Sequence, residues 1–441
     1  MVFEELMRVL EHARPLLLMT LGLALGTVCA FLTQTILAKG LGPESYGILS
    51  SALVVINLLV PIASMGIPDY WLKYYAQYGW KGVQVFKGSI YLSLISVTFA
   101  ISIAIFVSVT IINDELSRNT IIMVLPIILS QAIISLVCSK YKLENDFLRF
   151  SIWNSATNIV RFVFIAISYY LLTSYLEFDL FSVSSTYSII SIILAILGSL
   201  ILIDMSKNKF RLYGHGDIPV SLTIDNVKVK EVLKSSWLFS ASSFLYIIYY
   251  QSDIILISKL DSPIATGYYN AAFVFISATY IIPSLIVQKY MLPTLHRLFH
   301  SGQNSFLKYS EKMFYILLAL SILLCVFLIL SSELIIILSF GSDYRNSITY
   351  LTILSCTIPL KFITVLAGAI LTASEFMGRK VKLMLYAAIF NILSNLIFIP
   401  IYGGYAAAVT TVLTELLLLL FFSYYVLKSM NKFKNEKLHA S

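Results

Sequence analysis

Apolar runs of about 20 residues recur along the whole chain, and each is long enough for a helix to cross a bilayer. Short polar stretches separate them. The pattern predicts twelve spans, near 16–37, 48–68, 89–112, 120–138, 152–174, 182–203, 236–258, 268–288, 313–332, 347–371, 381–400 and 405–427. Polar residues inside the runs are not scattered. Ser151, Asn154, Asn158, Arg161 and Ser168 share one helical face in the fifth run. Ser236, Ser240, Ser243, Tyr246, Tyr250 and Asp253 form a stripe in the seventh. Thr357, Lys361, Thr364 and Gly368 share a face in the tenth, and Thr411, Thr414 and Glu415 cluster in the last.

Composition and charge sharpen this picture. The 441 residues are 59% hydrophobic and 12% charged, with a mean hydropathy of +0.86. A soluble chain is about a quarter charged, so an integral membrane protein is expected. The net charge of +8 does not point to nucleic acid, because cytoplasmic loops of membrane proteins carry surplus Lys and Arg. Of the 31 Lys and Arg, 25 fall in the N-terminus, the even-numbered loops and the C-terminal tail, and four fall in the odd-numbered loops. Both termini are therefore expected in the cytoplasm. Cys29, Cys138, Cys325 and Cys356 lie in or beside apolar runs without ligand spacing, and read as packing residues. "MVFEELMRVLEHARP" lacks a small-residue cleavage site, so no cleaved signal peptide is expected at this N-terminus. His296 and His300 have i, i+4 spacing but no third ligand, and read as part of a basic surface helix.

The chain also repeats itself. "KGLGPESYG" begins at Lys39 and "KLDSPIATG" at Lys259, an offset of 220 residues. At that offset Lys39, Pro43, Gly47, Ala52, Tyr70 and Phe86 are among twelve identities in the 48 positions from 39 to 86. Each half holds six predicted spans, an even number, so the halves enter the membrane in the same direction. The expected fold is all-α: an N-terminal six-helix lobe over 1–205, a cytoplasmic linker over 206–235, and a C-terminal six-helix lobe with a cytoplasmic tail over 236–441, with a central cavity. Parallel repeats of this kind mark secondary transporters. The repeated Pro-x3-Gly reads as a tight outward turn in which Gly47 and Gly267 supply unusual backbone angles and Pro43 and Pro263 fix the entry.

Charges inside spans cost about 2.5–3.5 kcal/mol each on insertion scales and usually face a cavity. Arg161 and Lys361 place one cation in each half and are candidate phosphate binders, with Asn154 and Asn158 beside Arg161. The plainer readings are a carboxylate partner or snorkelling to the interface. Asp253 and Glu415 are candidate coupling-ion residues for H⁺ or Na⁺, or else members of structural salt bridges. Tyr246 and Tyr250 can stack on sugars, or belong to the interfacial aromatic belts. Pro61 and Pro283 lie inside the second and eighth runs as candidate hinges, or as fixed kinks. No metal site and no catalytic signature is evident.

Several stretches resemble one family. "LAKGLGPESYGILSSALVVINLL" is similar to the first hairpin of bacterial polysaccharide flippases, the Wzx type within the multidrug/oligosaccharidyl-lipid/polysaccharide exporter superfamily. "YYQSDIILISKLDSPIATGYYNAA", "MLPTLHRLF", "FGSDYRNSITYLTIL" and "AAAVTTVLTELLLLL" fit the same family. The resemblance implies a flippase that moves an undecaprenyl-diphosphate-linked repeat unit, of O-antigen or a similar surface polysaccharide, across the bacterial inner membrane by ion-coupled alternating access. Its implied partners are that lipid-linked oligosaccharide, membrane lipid, the polysaccharide polymerase and the chain-length regulator. Two other readings stand beside it. A drug/cation antiporter of the same fold would usually carry acidic residues in the first lobe. A membrane polymerase or ligase would need a large outward loop or an acidic catalytic pair.

Overall fold

The computed structural model describes the backbone of residues 2–438 apart from 176–177, 207–210, 216–228, 302 and 374–376. Side chains are described for a somewhat smaller set, from residue 19 to residue 428. Among the described residues there are helices and turns and no strand. The helices are α1 (Val2–Ser64), α2 (Ile67–Tyr78), α3 (Val83–Thr110), α4 (Glu115–Val124), α5 (Pro126–Leu143), α6 (Phe147–Tyr175), α7 (Leu180–Ser206) and α8 (Val229–Leu260). They continue with α9 (Pro263–Ser284), α10 (Leu292–Ser301), α11 (Gln303–Leu330), α12 (Ser332–Phe340), α13 (Ser347–Ser355), α14 (Thr357–Ala373), α15 (Met377–Tyr402) and α16 (Gly404–Leu438).

All twelve predicted spans fall on helix, but the count is coarser in the structure. Nine stretches among the described residues are long and apolar enough to cross a membrane, and the first of them, Met19–Thr110, has 92 residues. That stretch contains the first three predicted spans. The seventh, in α8, is not among the nine, because its serines, tyrosines, Gln251 and Asp253 dilute its hydropathy. The chain is a multi-pass membrane protein. Large apolar side chains face outward on the helices, such as Phe99 and Phe106 on α3 and Leu323 and Leu330 on α11. A lipid-facing surface permits this where water would not.

The chain divides into two compact units. One comprises residues 1–41 with 51–247, and the other residues 42–50 with 248–441. In the first unit the core gathers Trp71, Tyr75, Phe86, Val137, Ile190 and Leu194, with the Trp71 and Phe86 ring centroids 5.4 Å apart. Helix α1 packs on α6 through small residues. A Cβ at Gly22 would lie 1.7 Å from Ser151 Oγ, and one at Gly26 would lie 3.3 Å from Ser155 Oγ. Ser155 Oγ donates to the Gly22 carbonyl at 2.6 Å. Gly22-x3-Gly26 against Ser151-x3-Ser155 is small-residue packing of the kind that lets membrane helices approach closely.

The repeated loop motif has a different role from the expected one. Gly47 and Gly267 lie inside helices, and the chain turns before each proline instead. Gly42 takes φ 72° and ψ 170°, and Ser262 caps α9 by accepting from the Ala265 amide. Pro263 occupies the first helical turn, where its missing N–H costs nothing. The glycines are required by contact. A Cβ on Gly47 would stand 1.8 Å from the Pro263 carbonyl oxygen, and one on Gly267 would stand 2.0 Å from the Pro43 carbonyl oxygen. The two copies of the motif thus pack reciprocally, proline carbonyl on glycine, all within the second unit. Asn270 Nδ2 ties the contact further, donating to Tyr46 Oη at 2.9 Å and to Ser50 Oγ at 2.8 Å.

The two candidate hinges also differ from each other. Helix α1 continues through Pro61 without a non-helical residue there. The break comes later, at Met65 and Gly66, both with positive φ. The Pro61 carbonyl accepts from Ser240 Oγ at 2.7 Å. A Cβ on Gly66 would lie 2.4 Å from the Ser236 carbonyl, so α8 closes against this end of α1. Pro283, by contrast, stands two residues before a π-helical segment, Leu285–Met291. Its ring and missing N–H disturb the α-helical ladder, and wider π turns are a known way for a helix to absorb this. The side chains of His296 and His300 lie outside the described residues. The four cysteines are free thiols.

Replacing Gly47 by Ala is expected to lower thermal stability in detergent, by about 1–3 kcal/mol as for other overpacked sites. The clash is with backbone, which cannot rotate away. Gly378→Ala has open space around it and should leave the melt unchanged. Equal melting temperatures for wild type and Gly47→Ala would remove the reciprocal contact as a stability determinant.

Candidate functional site

Each unit carries a polar site. In the first unit a cavity of about 370 Å³ is lined by residues from α1, α2, α5, α6 and α8, with Gly66 between the first two. Asn154 and Asn158, both predicted, line it with Thr157 on α6. Helix α5 adds Gln131, Ser135, Ser139 and Lys142, and α8 adds Ser240 and Ser243. Asp69 supplies a carboxylate from the first turn of α2. The wall is therefore hydroxyl and amide with one charge of each sign. Pro68, Ile134, Cys138 and Phe150 supply its apolar side, with Lys142 Nζ 4.9 Å from the Phe150 ring centroid.

The predicted polar face of α6 splits in two. Ser151 packs at Gly22, whereas Asn154, Thr157 and Asn158 turn to the cavity. Arg161 follows one turn beyond Asn158. Its guanidinium carbon lies 4.8 Å from the centroid of the Tyr187 ring on α7. Its Nε and Nη2 are buried and have no hydrogen-bond partner. No carboxylate pairs with it among the described residues. The Tyr187 ring face attracts the cation, but it does not take up the N–H groups.

In the second unit the charges are arranged differently. Lys361 on α14 donates to Glu415 Oε1 on α16 at 2.8 Å, with both side chains buried. It also reaches Tyr249 Oη at 3.3 Å. Tyr249 in turn donates to Glu415 Oε1. The rings of Tyr249 and Tyr280 lie 4.8 and 5.2 Å from the ammonium, and Tyr250 lies 6.0 Å away. Of the two readings open for Lys361, the structure places it against a carboxylate. Glu415 is its partner and so belongs to an ion pair.

Asp253 has no such counter-charge among the described residues, although it is only 4% exposed. It is held by donors instead. Asn395 Nδ2 donates to its Oδ1 at 2.6 Å, and Tyr269 Oη donates to its Oδ2 at 2.8 Å. Thr411 Oγ1 also donates to Oδ2. Around these, Asn391 Oδ1 accepts from Ser252 at 3.1 Å and from Asn395 at 3.2 Å, and Thr410 donates to Asn395 Oδ1. The cluster draws on α8, α9, α15 and α16. It is rich in oxygen, the ligand type hard cations prefer. Tyr250 packs with Phe273 at 5.1 Å between centroids, while Tyr246 is exposed and lines neither cavity.

Sequence reasoning missed Gln131, Ser135, Ser139 and Lys142. Their spacing of 0, 4, 8 and 11 along α5 is helical and was a readable signal. It also missed Asn391 and Asn395, one turn apart on α15.

Comparison with known proteins agrees with this architecture. A family model described as "Polysaccharide biosynthesis protein" matches residues 14–299. No curated protein matches the chain by sequence. Among solved structures, a lipid II flippase MurJ in an inward closed conformation is similar over 94% of this chain and 89% of its own, with a TM-score of 0.73 and 17% identity. A multidrug resistance MATE family transporter of the MOP superfamily, inward-facing, is similar over 93% and 96%, with a TM-score of 0.67 and 14% identity. A MOP superfamily transporter from Pyrococcus furiosus is similar over 94% and 96%, with a TM-score of 0.61 and 12% identity. The fold is the one these solved structures share.

Removing one partner of a buried ion pair typically costs about 3–5 kcal/mol, because the other charge stays buried. Lys361→Met should therefore destabilise the protein strongly. Lys361→Met combined with Glu415→Leu should recover most of that loss. A double mutant no more stable than the single would show that the two side chains do not act as a pair.

Proposed function

Because the chain belongs to the polysaccharide biosynthesis protein family, we propose that it is a flippase for a polyprenyl-diphosphate-linked oligosaccharide of bacterial surface-polysaccharide synthesis. The observation that carries this reading is Arg161. A guanidinium with two buried, unpartnered nitrogens needs an anionic partner, and it stands one helical turn beyond a cavity lined by amides and hydroxyls. Sugar hydroxyls suit those amides and hydroxyls, and a diphosphate suits the guanidinium, which presents its donors as a planar fork. The substrate class is undecaprenyl-diphosphate carrying an O-antigen-like repeat unit, moved from the cytoplasmic to the outer leaflet of the inner membrane. On that outer face a polysaccharide polymerase and its chain-length regulator would take the product.

The charge of the loops supports this orientation. The cavity's lining residues sit at the ends of α1 and α5 that lead into the basic even-numbered loops, the side expected to be cytoplasmic. A cationic drug would meet Arg161 there, which disfavours the antiporter reading.

Transport against a gradient needs an energy source, and the chain has no nucleotide-binding loop. We assign the coupling ion to Asp253. An ionised carboxylate buried without a counter-charge is costly. A proton or a Na⁺ ion offsets that cost, and the oxygens of Asp253, Asn391, Asn395 and Thr411 are grouped to receive one. Alternating exposure of the substrate site would then follow occupancy at Asp253.

Deletion of the gene should leave lipid-linked oligosaccharide on the cytoplasmic side and abolish surface polysaccharide. Arg161→Ala should fail to restore it, and Arg161→Lys should restore part. A charge-assisted hydrogen bond is worth about 1.5–3 kcal/mol, which is roughly a tenfold loss for each 1.4 kcal/mol. Full restoration by a normally expressed Arg161→Ala protein would remove the arginine from substrate binding. Separately, Asp253→Asn should keep expression and lose the dependence of transport on pH or Na⁺. Unchanged ion dependence in that variant would exclude Asp253 as the coupling residue.

A further inference from the structure

Glu415 is half satisfied. Its Oε1 accepts from Lys361 at 2.8 Å and from Tyr249, but its Oε2 is buried with no hydrogen-bond partner. The residue is 3% exposed, so bulk solvent does not supply the missing donor. Glu415 lines a cavity of about 10 Å³ together with Asn391, Thr411 and Thr414. That is about the space one water molecule requires, and it offers the two or more polar neighbours a buried water needs. Two of those neighbours already belong to the Asp253 cluster: Thr411 donates to Asp253, and Asn391 bonds Asn395 and Ser252.

We propose that this cavity holds one water molecule that bridges Glu415 to Thr411 and Thr414, and that Glu415 Oε2 is an exchangeable proton site whose occupation releases Lys361. The step balances simply. A proton is delivered through the water to Oε2, the carboxylate becomes a neutral acid, and the Lys361–Glu415 ion pair becomes a weaker charge–dipole contact. Lys361 keeps its own proton and its positive charge. The rings of Tyr249, Tyr250 and Tyr280 surround the ammonium at 4.8–6.0 Å and continue to stabilise it once the pair is loosened. A cation masked by Glu415 in one protonation state is then available to an anionic group in the other. The titratable groups near Glu415 are Lys361 on α14, Tyr249, Tyr250 and Asp253 on α8, and Tyr269 and Tyr280 on α9. Helix α13 adds Tyr350, whose ring packs on Tyr269 at 6.0 Å between centroids, and α15 adds Lys380, which reaches Thr372 on α14 at 3.3 Å, three turns from Lys361. Lys361 and Tyr249 bond Glu415 directly, and Asp253 lies behind Thr411.

The test is infrared difference spectroscopy on the purified full-length protein in lipid, stepped across pH. A protonated buried carboxylic acid gives a carbonyl stretch separate from carboxylate bands. Wild type should show such a band appearing as the pH falls. It should shift on labelling with carboxyl-¹³C glutamate, and it should be lost in Glu415→Gln. Thr414→Val, which removes a cavity hydroxyl but leaves Lys361 in place, should shift the band without abolishing it. Labelling needs no mutation, so the test survives if Glu415→Gln does not fold. No glutamate-sensitive band at any pH, or an identical band in a folded Glu415→Gln protein, would overturn the proposal. A band that responds to Na⁺ replacing choline at fixed pH, and not to pH, would overturn the proton assignment as well. None of these readings depends on transport, so failure here is distinct from failure of Asp253 as the coupling residue or of the flippase reading.

Discussion

A charge in hydrocarbon must find its neutralising partner inside the protein, because no water is there to supply it. Four charged residues within the spans illustrate three ways of meeting this requirement. Lys361 and Glu415 neutralise one another. Asp253 is surrounded by hydroxyl and amide donors that stabilise it without cancelling its charge. Arg161 has an aromatic face and two nitrogens left over. The degree of satisfaction sorts the residues by role. The Lys361–Glu415 pair is compensated in charge, although Glu415 Oε2 still lacks a donor. The proposed roles of Arg161 in substrate binding and of Asp253 in ion coupling rest on that difference in compensation.

The same reasoning separates the two cations, which the sequence pattern treated alike. Both sit within a span on a face with hydroxyl or amide residues. Only the three-dimensional arrangement shows that one has a carboxylate and the other has none among the described residues. Periodicity assigns a residue to a face of its own helix, but it does not say which helix that face meets. The Lys361–Glu415 pair joins positions 54 residues apart, and no spacing rule reaches that far. Asn154 and Asn158 were readable because their neighbours on α6 are polar at helical intervals. The α5 stripe is equally regular, but a serine in an apolar helix can bond a carbonyl of its own preceding turn, as Ser135 does to Ala132 at 2.7 Å, so serines at helical spacing do not by themselves mark a cavity wall.

The repeated motif shows a second limit. Its copies were legible from Lys, Pro and Gly at fixed intervals, and the symmetry of the chain followed from their offset. The function of the glycine did not. A glycine can be needed for a positive φ or for a close approach, and a one-dimensional pattern does not distinguish them. Here Gly42 has the unusual angle, whereas Gly47 and Gly267 leave room for a proline carbonyl. Close backbone contact of this kind needs two small residues in register, and a duplicated motif supplies both from one evolved segment.

The buried tyrosines link the two polar clusters of the second unit. Tyr249 bonds Glu415 and stacks near Lys361, and Tyr269 bonds Asp253 and packs with Phe273 at 5.9 Å. Asp253 is one helical turn from Tyr249 on α8, and Thr411 is one turn from Glu415 on α16. The Asp253–Thr411 and Tyr249–Glu415 bonds are thus two rungs between α8 and α16. A proton or cation added at one rung alters the hydrogen bonds available at the next, because Asn391, Thr411 and Thr414 lie at or beside both. In a medium that screens charge poorly, such neighbours respond together. This close coupling offers a local route by which ion occupancy could govern whether Lys361 is held or released, without requiring any long-range pathway through the fold.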